Sequence, residues 1–137
     1  MARKTFQVEI LTPEGTVFDD EVEMVSTSTS VGSIGVMANH TPLLAMLDAC
    51  ELRLHRSEGE ILRFAQAEGY MQVGDNRAML LVEEAVAAED LDSARIESDL
   101  AEWQSKLAAA DADSEAAKLA VRNVARLEAF QRIAAGS

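Results

Sequence analysis

Cysteine is nearly missing from this chain of 137 residues. Cys50 stands alone, so no disulfide can close within the chain, and a reducing compartment is the natural setting. Histidine and proline occur only twice each, and aromatic residues number six, so the core must be built from Val, Leu, Ile, Met and Ala. Positive charge is also short: 12 Lys and Arg face 24 Asp and Glu, a formal net charge of −12. That balance argues against unaided nucleic-acid binding, which needs clustered basic residues on phosphates. It equally disfavours electrostatic docking on an anionic membrane surface. No segment approaches the roughly 20 apolar residues that span a bilayer. Met1-Ala2-Arg3-Lys4-Thr5 lacks the apolar run of a signal peptide, and a soluble, cytoplasmic protein is expected.

The same scarcity weakens a catalytic reading. A hydrolase needs a nucleophile, a base and an orienting acid within mutual reach, yet His40 and His55 are the only imidazoles. His55 alternates with Leu54 in a strand-like run and is expected to face solvent. No G-x-S-x-G, phosphate-binding loop or H-E-x-x-H pattern occurs. One cysteine and two distant histidines offer no recognisable metal spacing. No catalytic residue, metal or bound cofactor is expected.

What the sequence does contain is two halves with different grammar. Up to about Glu84 it reads as short strands and turns. Phe6-Gln7-Val8-Glu9-Ile10 alternates apolar with polar, as a half-buried strand does. Thr12-Pro13-Glu14-Gly15 is a turn. Val17 to Ser30 continues as one extended run. Leu52 and Leu54 alternate with Arg53 and His55, and Ser57-Glu58-Gly59-Glu60 turns the chain into Ile61-Leu62-Arg63-Phe64. Gly74-Asp75-Asn76-Arg77 between two apolar runs is a hairpin signal. Strands with frequent turns and no intervening helices predict an antiparallel β-sandwich.

After Ala85 glycine is missing until Gly136 and no proline occurs. Ile96, Leu100, Trp103 and Leu107 share one helical face. Asp111-Ala112-Asp113-Ser114 interrupts the pattern and offers caps for a second helix, which carries Ala117, Ala120, Val121, Val124 and Leu127 in one arc. The predicted architecture is a β-sandwich over residues 1–86 followed by an antiparallel two-helix hairpin over 87–137. Its apolar seam is thin, because alanine and valine methyls bury little area. Opposite that seam, Lys118, Arg122, Arg126 and Arg132 fall in one arc of the second helix. Residues 114–137 hold four basic side chains against Glu115 and Glu128, a local charge of +2 that leaves −14 on the rest. Such a stripe is either a solvated face or a contact for an acidic surface.

One stretch resembles a known signature. Gly32-Ser33-Ile34-Gly35-Val36 followed by Asn39-His40-Thr41-Pro42-Leu43-Leu44 is similar to the epsilon subunit of bacterial and chloroplast rotary ATP synthases. Phe6 to Pro13, Ala67 to Val73 and Leu80 to Arg95 extend the likeness along the chain. Ala38 stands near where the family commonly has proline, which leaves the loop less rigid. The resemblance implies a non-catalytic rotor subunit whose sandwich binds the gamma shaft and the proteolipid ring, coupling proton flow to rotation in the catalytic head. It implies a contact loop formed by Gly32, Ser33, Ile34, Gly35, Asn39, His40 and Pro42. The implied hairpin is a brake on ATP hydrolysis, with Arg122 and Arg126 directed at acidic segments of the alpha and beta catalytic subunits. The implied setting is the cytoplasmic face of a membrane, as a peripheral part of the complex, and the isolated chain is expected to be a monomer.

Some members of that family bind ATP at the hairpin. Leu91, Asp92 and Arg95 match their motif, while Ile96 replaces an alanine and Val86 a glutamate, so ATP binding is expected to be weak or lacking. Asp92 has an ordinary alternative role as a helix cap. Two rival functions fit the same architecture: a free-standing ATP sensor, and a scaffold that dimerises through Ile96, Leu100, Trp103 and Leu107.

Overall fold

The computed structural model describes residues 4–136, which form ten β-strands followed by two α-helices. The strands are β1 (Phe6–Thr12), β2 (Gly15–Val22), β3 (Met24–Thr29), β4 (Gly32–Met37), β5 (Leu43–Leu47), β6 (Cys50–His55), β7 (Ile61–Gln66), β8 (Gly69–Gly74), β9 (Arg77–Val82) and β10 (Ala85–Ala87). Hydrogen-bonded neighbours run β10-β7-β6-β3-β5-β8-β9-β1-β2, with β4 on the other edge of β3. One edge of β3 pairs with β6 through Met24–Ser26 and with β5 through Thr29 opposite Leu47. The ladder therefore passes between layers at β3. Phe6, Val8 and Ile10 of β1 share one buried cluster with Val25 of β3 and Leu52 and Leu54 of β6, so the two halves of the ladder face each other as a sandwich.

Local chemistry explains several of these elements. In β1 the residues Phe6, Val8 and Ile10 are buried while those between them are half-buried, the period of two expected of a strand with one core face. Asp75 and Asn76 have φ of 50° and 58°, the two positive values that a tight hairpin turn requires, and Gly74 pairs with Arg77 across it. Gly69 is obligatory for another reason: a Cβ there would lie 2.0 Å from the Leu81 carbonyl oxygen.

The sheet differs from the sequence reading in three respects. The run Val17 to Ser30 is not one strand; it bends at Glu23, whose N–H donates to the His55 carbonyl at 2.7 Å, and the bend moves the chain from one layer to the other. The sheet is antiparallel except for β1 and β9, which pair in parallel from Gln7 opposite Arg77 to Leu11 opposite Leu81. His55 is half-buried, with Nε2 at 3.2 Å from the Ser26 hydroxyl, so its cross-strand neighbour shields it from full exposure.

The helices α1 (Ser93–Ala109) and α2 (Glu115–Ala135) are capped as the sequence suggests. Asp92 accepts from the Arg95 N–H at 3.2 Å and Ser114 from the Ala117 N–H at 3.1 Å. Ile96 and Leu100 of α1 pack with Leu127, Phe130 and Ile133 of α2 over Ala65 and Ala67 at the end of β7, forming a second apolar cluster. The buried stripe of α2 is thus rotated from the expected one. Val121 is exposed, whereas Phe130 and Ile133 are buried, because the helix packs on the sandwich as well as on α1.

Candidate partner-binding surfaces

The stretch expected to form one contact loop is divided by a strand. Gly32, Ser33, Ile34 and Gly35 belong to β4, and Asn39, His40 and Pro42 lie in the connection after it. Gly32 is separated from Asn39 and His40 by the length of β4, about 17 Å at the usual rise per residue. Gly32 and Ser33 adjoin the β3–β4 tip, where Val31 is 95% exposed. That tip lies at the same end of the sandwich as Asp48, whose N–H donates to the Ser28 carbonyl at 3.1 Å. Ile34 is half-buried against the sandwich core, so its side chain is largely committed to packing.

Asn39 and His40 lie at the opposite end, where the loop is held by short polar contacts. Asn39 has φ of 63°, a left-handed conformation that asparagine tolerates. Its N–H donates to Oδ1 of Asn76 at 2.8 Å, and the Asn76 amide donates in turn to the Thr5 carbonyl at 3.4 Å. One side chain therefore ties the β4–β5 connection, the β8–β9 turn and the start of β1 together. His40 Nδ1 is 2.6 Å from the Thr41 carbonyl oxygen; only a donor fits there, so Nδ1 carries the proton and Nε2 is left as an acceptor in the neutral ring. His40 is half-buried and Pro42 exposed.

A further surface was not singled out from the sequence. On the outer face of the layer containing β5, β8, β9 and β1, Met46 is opposite Tyr70, Tyr70 opposite Leu81, and Leu81 opposite Leu11. Met46 is 58% exposed, Tyr70 52% and Leu81 47%, and Leu44 beside them is 72% exposed. Apolar groups set side by side across four strands form a patch rather than scattered singles, the mark of an interaction site. Tyr and Met are also among the side chains enriched in protein interfaces. The signal was present in Leu43-Leu44-Ala45-Met46-Leu47, which is apolar on both faces although only Leu47 is buried.

Half of the basic stripe of α2 is engaged with the sandwich. Arg126 Nη1 pairs with Glu84 Oε1 at 2.9 Å, its Nη2 donates to Asn123 Oδ1 at 3.1 Å, and its guanidinium carbon lies 5.6 Å from the centre of the Phe130 ring. Arg122 pairs with Glu68 at 3.6 Å. Lys118 pairs only within its own helix, with Glu115 at 3.5 Å. Arg132 has no ion pair among the described residues and lines two grooves, one shared with Arg122 and Arg126 and one beside Arg53 and Arg63. The four basic side chains therefore divide into a pair bonded to the sandwich, one helix-bound lysine and one arginine without an ion pair that lies between two grooves.

The residues of the nucleotide motif have local roles. Leu91 packs against the apolar cluster under the hairpin. Asp92 caps α1, and Arg95 is exposed with Asp99 at 3.9 Å. Ile96 and Leu100, which a dimerising scaffold would present, are buried within the hairpin instead. Among the described residues no group of His, Cys, Asp and Glu is placed to hold a metal ion, and no helix is long and apolar enough to cross a membrane.

Comparison with known proteins agrees with this architecture. Residues 5–88 match the family model described as the ATP synthase delta/epsilon chain, beta-sandwich domain. The ATP synthase epsilon chain of Syntrophomonas wolfei is 33% identical over 135 residues, covering 96% of this chain and 98% of its own. The chloroplastic epsilon chain of Mesostigma viride is 33% identical over 132 residues, covering 94% and 99%. Among solved structures, a chain in the Euglena gracilis mitochondrial ATP synthase (OSCP/F1/c-ring) superposes with a TM-score of 0.73 at 20% identity, over 96% of this chain and 81% of that one. A chain in the central stalk and c-ring of the Tetrahymena thermophila mitochondrial enzyme gives 0.66 at 16% identity, over 98% and 99%. At those identities the structural likeness speaks for the fold.

Proposed function

The chain belongs to the ATP synthase delta/epsilon chain family, and from that membership we propose that it works as a central-stalk rotor subunit. It is an accessory chain of the synthase and does not itself catalyse. We assign residues 1–86 to binding the gamma subunit and the proteolipid ring, and residues 87–137 to regulation. The complex is membrane-bound and this chain is its peripheral part, on the cytoplasmic face.

The observation that carries the reading is the unpartnered apolar row Met46–Tyr70–Leu81–Leu11, joined to end-to-end likeness with epsilon chains. A rotor subunit must hold its shaft firmly while the catalytic head stays fixed, and a broad apolar face serves that purpose. We assign this face to gamma. Gly32 and Ser33 at one end of β4, and Asn39, His40 and Pro42 at the other, are assigned to contacts with gamma or the ring. The Asn76 ties preorganise one of those ends, which lowers the entropy lost on docking.

The hairpin supplies the brake. Arg122 and Arg126 now pair with Glu68 and Glu84 of the sandwich. Reaching acidic segments of the alpha and beta subunits would mean exchanging those carboxylates for the partner's. The docked and braking positions thus compete for the same guanidinium groups. Exposed or half-exposed ion pairs contribute only about 0.2–1 kcal/mol each, so the exchange can be close to balanced. ATP has no required part in this scheme: Leu91 packs under the hairpin, Asp92 caps α1, Arg95 pairs only with Asp99 of its own helix, and any binding there is weak.

Gel filtration with a gamma-containing catalytic head that lacks its own epsilon tests the assignment. The wild-type chain, a monomer alone, is expected to co-elute with the head. Tyr70→Ser with Leu81→Ser, which leaves buried residues untouched, is expected to weaken co-elution at least tenfold. Equal binding by that variant would remove the apolar face from the account.

A further inference from the structure

The other outer face of the sandwich, on β7, β6, β3 and β4, carries an unbalanced cluster of arginines beside an apolar row of Ile61, Met24 and Met37. Arg53 of β6 is directly opposite Arg63 of β7, so two like charges sit side by side. Glu51, on the same face, lies between them. Its Oε2 accepts from Arg53 Nε at 2.7 Å; its Oε1 accepts from Arg63 Nε at 2.7 Å and also from Arg63 Nη2. Burial acts to raise the Glu51 carboxyl, and the hydrogen bonds from Arg63 and Arg53 outweigh it, holding the group below its ordinary value. The last turn of α2 brings a third guanidinium, Arg132, to the same groove of about 290 Å³, beside Ala129 and Ile133.

Among the side chains lining this groove, three guanidinium groups meet one carboxylate, an excess of two positive charges on a protein of net charge −12, and Arg132 stands at its border with the groove of Asp48, Glu68 and Glu83. Glu51 occupies Nε of Arg53 and two nitrogens of Arg63, while both Nη groups of Arg53 and the whole Arg132 fork have no hydrogen bond among the described residues. A shallow trough of about 490 Å³ continues from Arg53 along β3 and β4, floored by Ser26, Ser28, Ser33 and Gly35. Its small side chains leave room and offer hydroxyl donors.

We propose that this groove binds the phosphate group of a small anion, either orthophosphate or a phosphate ester. A carboxylate brings one charge and two oxygens, which Glu51 already supplies. A phosphate carries about −1.5 to −2 at neutral pH and offers three or more acceptor oxygens, so it matches both the excess charge and the number of free forks. The acidic remainder of the protein is screened beyond about 8 Å at physiological salt, so contacts within the groove decide. Because Arg132 belongs to α2 and Arg53 and Arg63 to the sandwich, the bound anion ties the last turns of the hairpin to β6 and β7.

Calorimetric titration of the full chain with orthophosphate, at fixed ionic strength in chloride, tests this. Saturable binding to one site is expected, weakened about tenfold in Arg132→Ala, as loss of one charge-assisted hydrogen bond predicts. Ribose 5-phosphate is the second probe: tighter binding than orthophosphate marks an ester lying in the serine trough, and equal binding marks the phosphate group alone. Amide exchange over residues 127–135 is expected to slow with orthophosphate in the wild type and not in Arg132→Ala. Circular dichroism establishes that the variant is folded, Arg132 being exposed. No saturable heat up to tens of millimolar, or equal binding by Arg132→Ala, would overturn the site. Binding without slowed exchange would overturn the tie to α2.

Discussion

The sandwich and the hairpin are held by unlike seams. Between the two layers of the sandwich, Phe6, Ile10, Leu52, Leu54, Met71 and Leu80 are fully buried large side chains drawn from three strands of one layer and one of the other. Beneath the hairpin, the sandwich contributes only Ala65 and Ala67 to the buried cluster, and the helices contribute Ile96, Leu100, Leu127, Phe130 and Ile133. A large aliphatic side chain contributes roughly 1.5–3 kcal/mol when fully buried, and an alanine methyl far less. The same chain therefore combines a rigid part with a part held by few groups and two side-chain ion pairs to the sandwich, Arg122–Glu68 and Arg126–Glu84. The proposed division, a sandwich that grips a shaft and a hairpin that brakes it, calls for such unequal attachment.

The comparison can be broken most sharply in the core. Leu52→Ala is expected to lower global stability by about 2–5 kcal/mol, as cavity-forming substitutions do, measured by urea denaturation with a single transition. Phe130→Ala should cost about 3 kcal/mol, the low end for a buried phenylalanine, at a site that can partly collapse. Its loss should be local, with amide exchange accelerated over residues 93–135 while the strands stay protected. A global loss equal to that of Leu52→Ala would show that the two seams are one. Arg126→Ala should loosen the hairpin by about 0.5–1 kcal/mol, and Arg126→Glu with Glu84→Arg should restore much of that in a double-mutant cycle.

The smallest effect concerns pH. Glu51 has its folded-state pKa depressed, so its contribution to stability is present above the unfolded carboxyl value and is lost as pH falls through the folded value. Wild-type stability should therefore fall on acidification through that window. The Glu51→Gln variant should show a shallower acid slope and a lower plateau at neutral pH.

Local features were the legible ones. The turn at Asp75-Asn76 and the caps Asp92 and Ser114 follow from residue chemistry within a few positions, and the structure carries all three. The helical hairpin follows from a change in periodicity, although Ala85–Ala87 still pair with β7 as a last strand before it. Non-local pairing left no such trace. The parallel alignment of β1 with β9 joins residues some seventy positions apart, and no local pattern encodes it. The burial of Phe130 and Ile133 depends on where the sandwich stands, not on the helix's own arc. The candidate surfaces were legible in residue type and not in arrangement: β4 separates Gly32 from His40, and the apolar face emerges only when β5, β8, β9 and β1 are set in register. Likewise, Arg122 and Arg126 read as free charges until the fold supplies Glu68 and Glu84.

The most direct measurement is ATP hydrolysis by a catalytic head lacking its own epsilon, with added full-length chain or with a version ending at Ala88, binding of both being verified by co-elution. The account predicts that both bind and only the full chain suppresses hydrolysis, with suppression relieved in Arg122→Ala/Arg126→Ala. Equal hydrolysis in the presence of the bound full-length and shortened chains would contradict a brake carried by the hairpin.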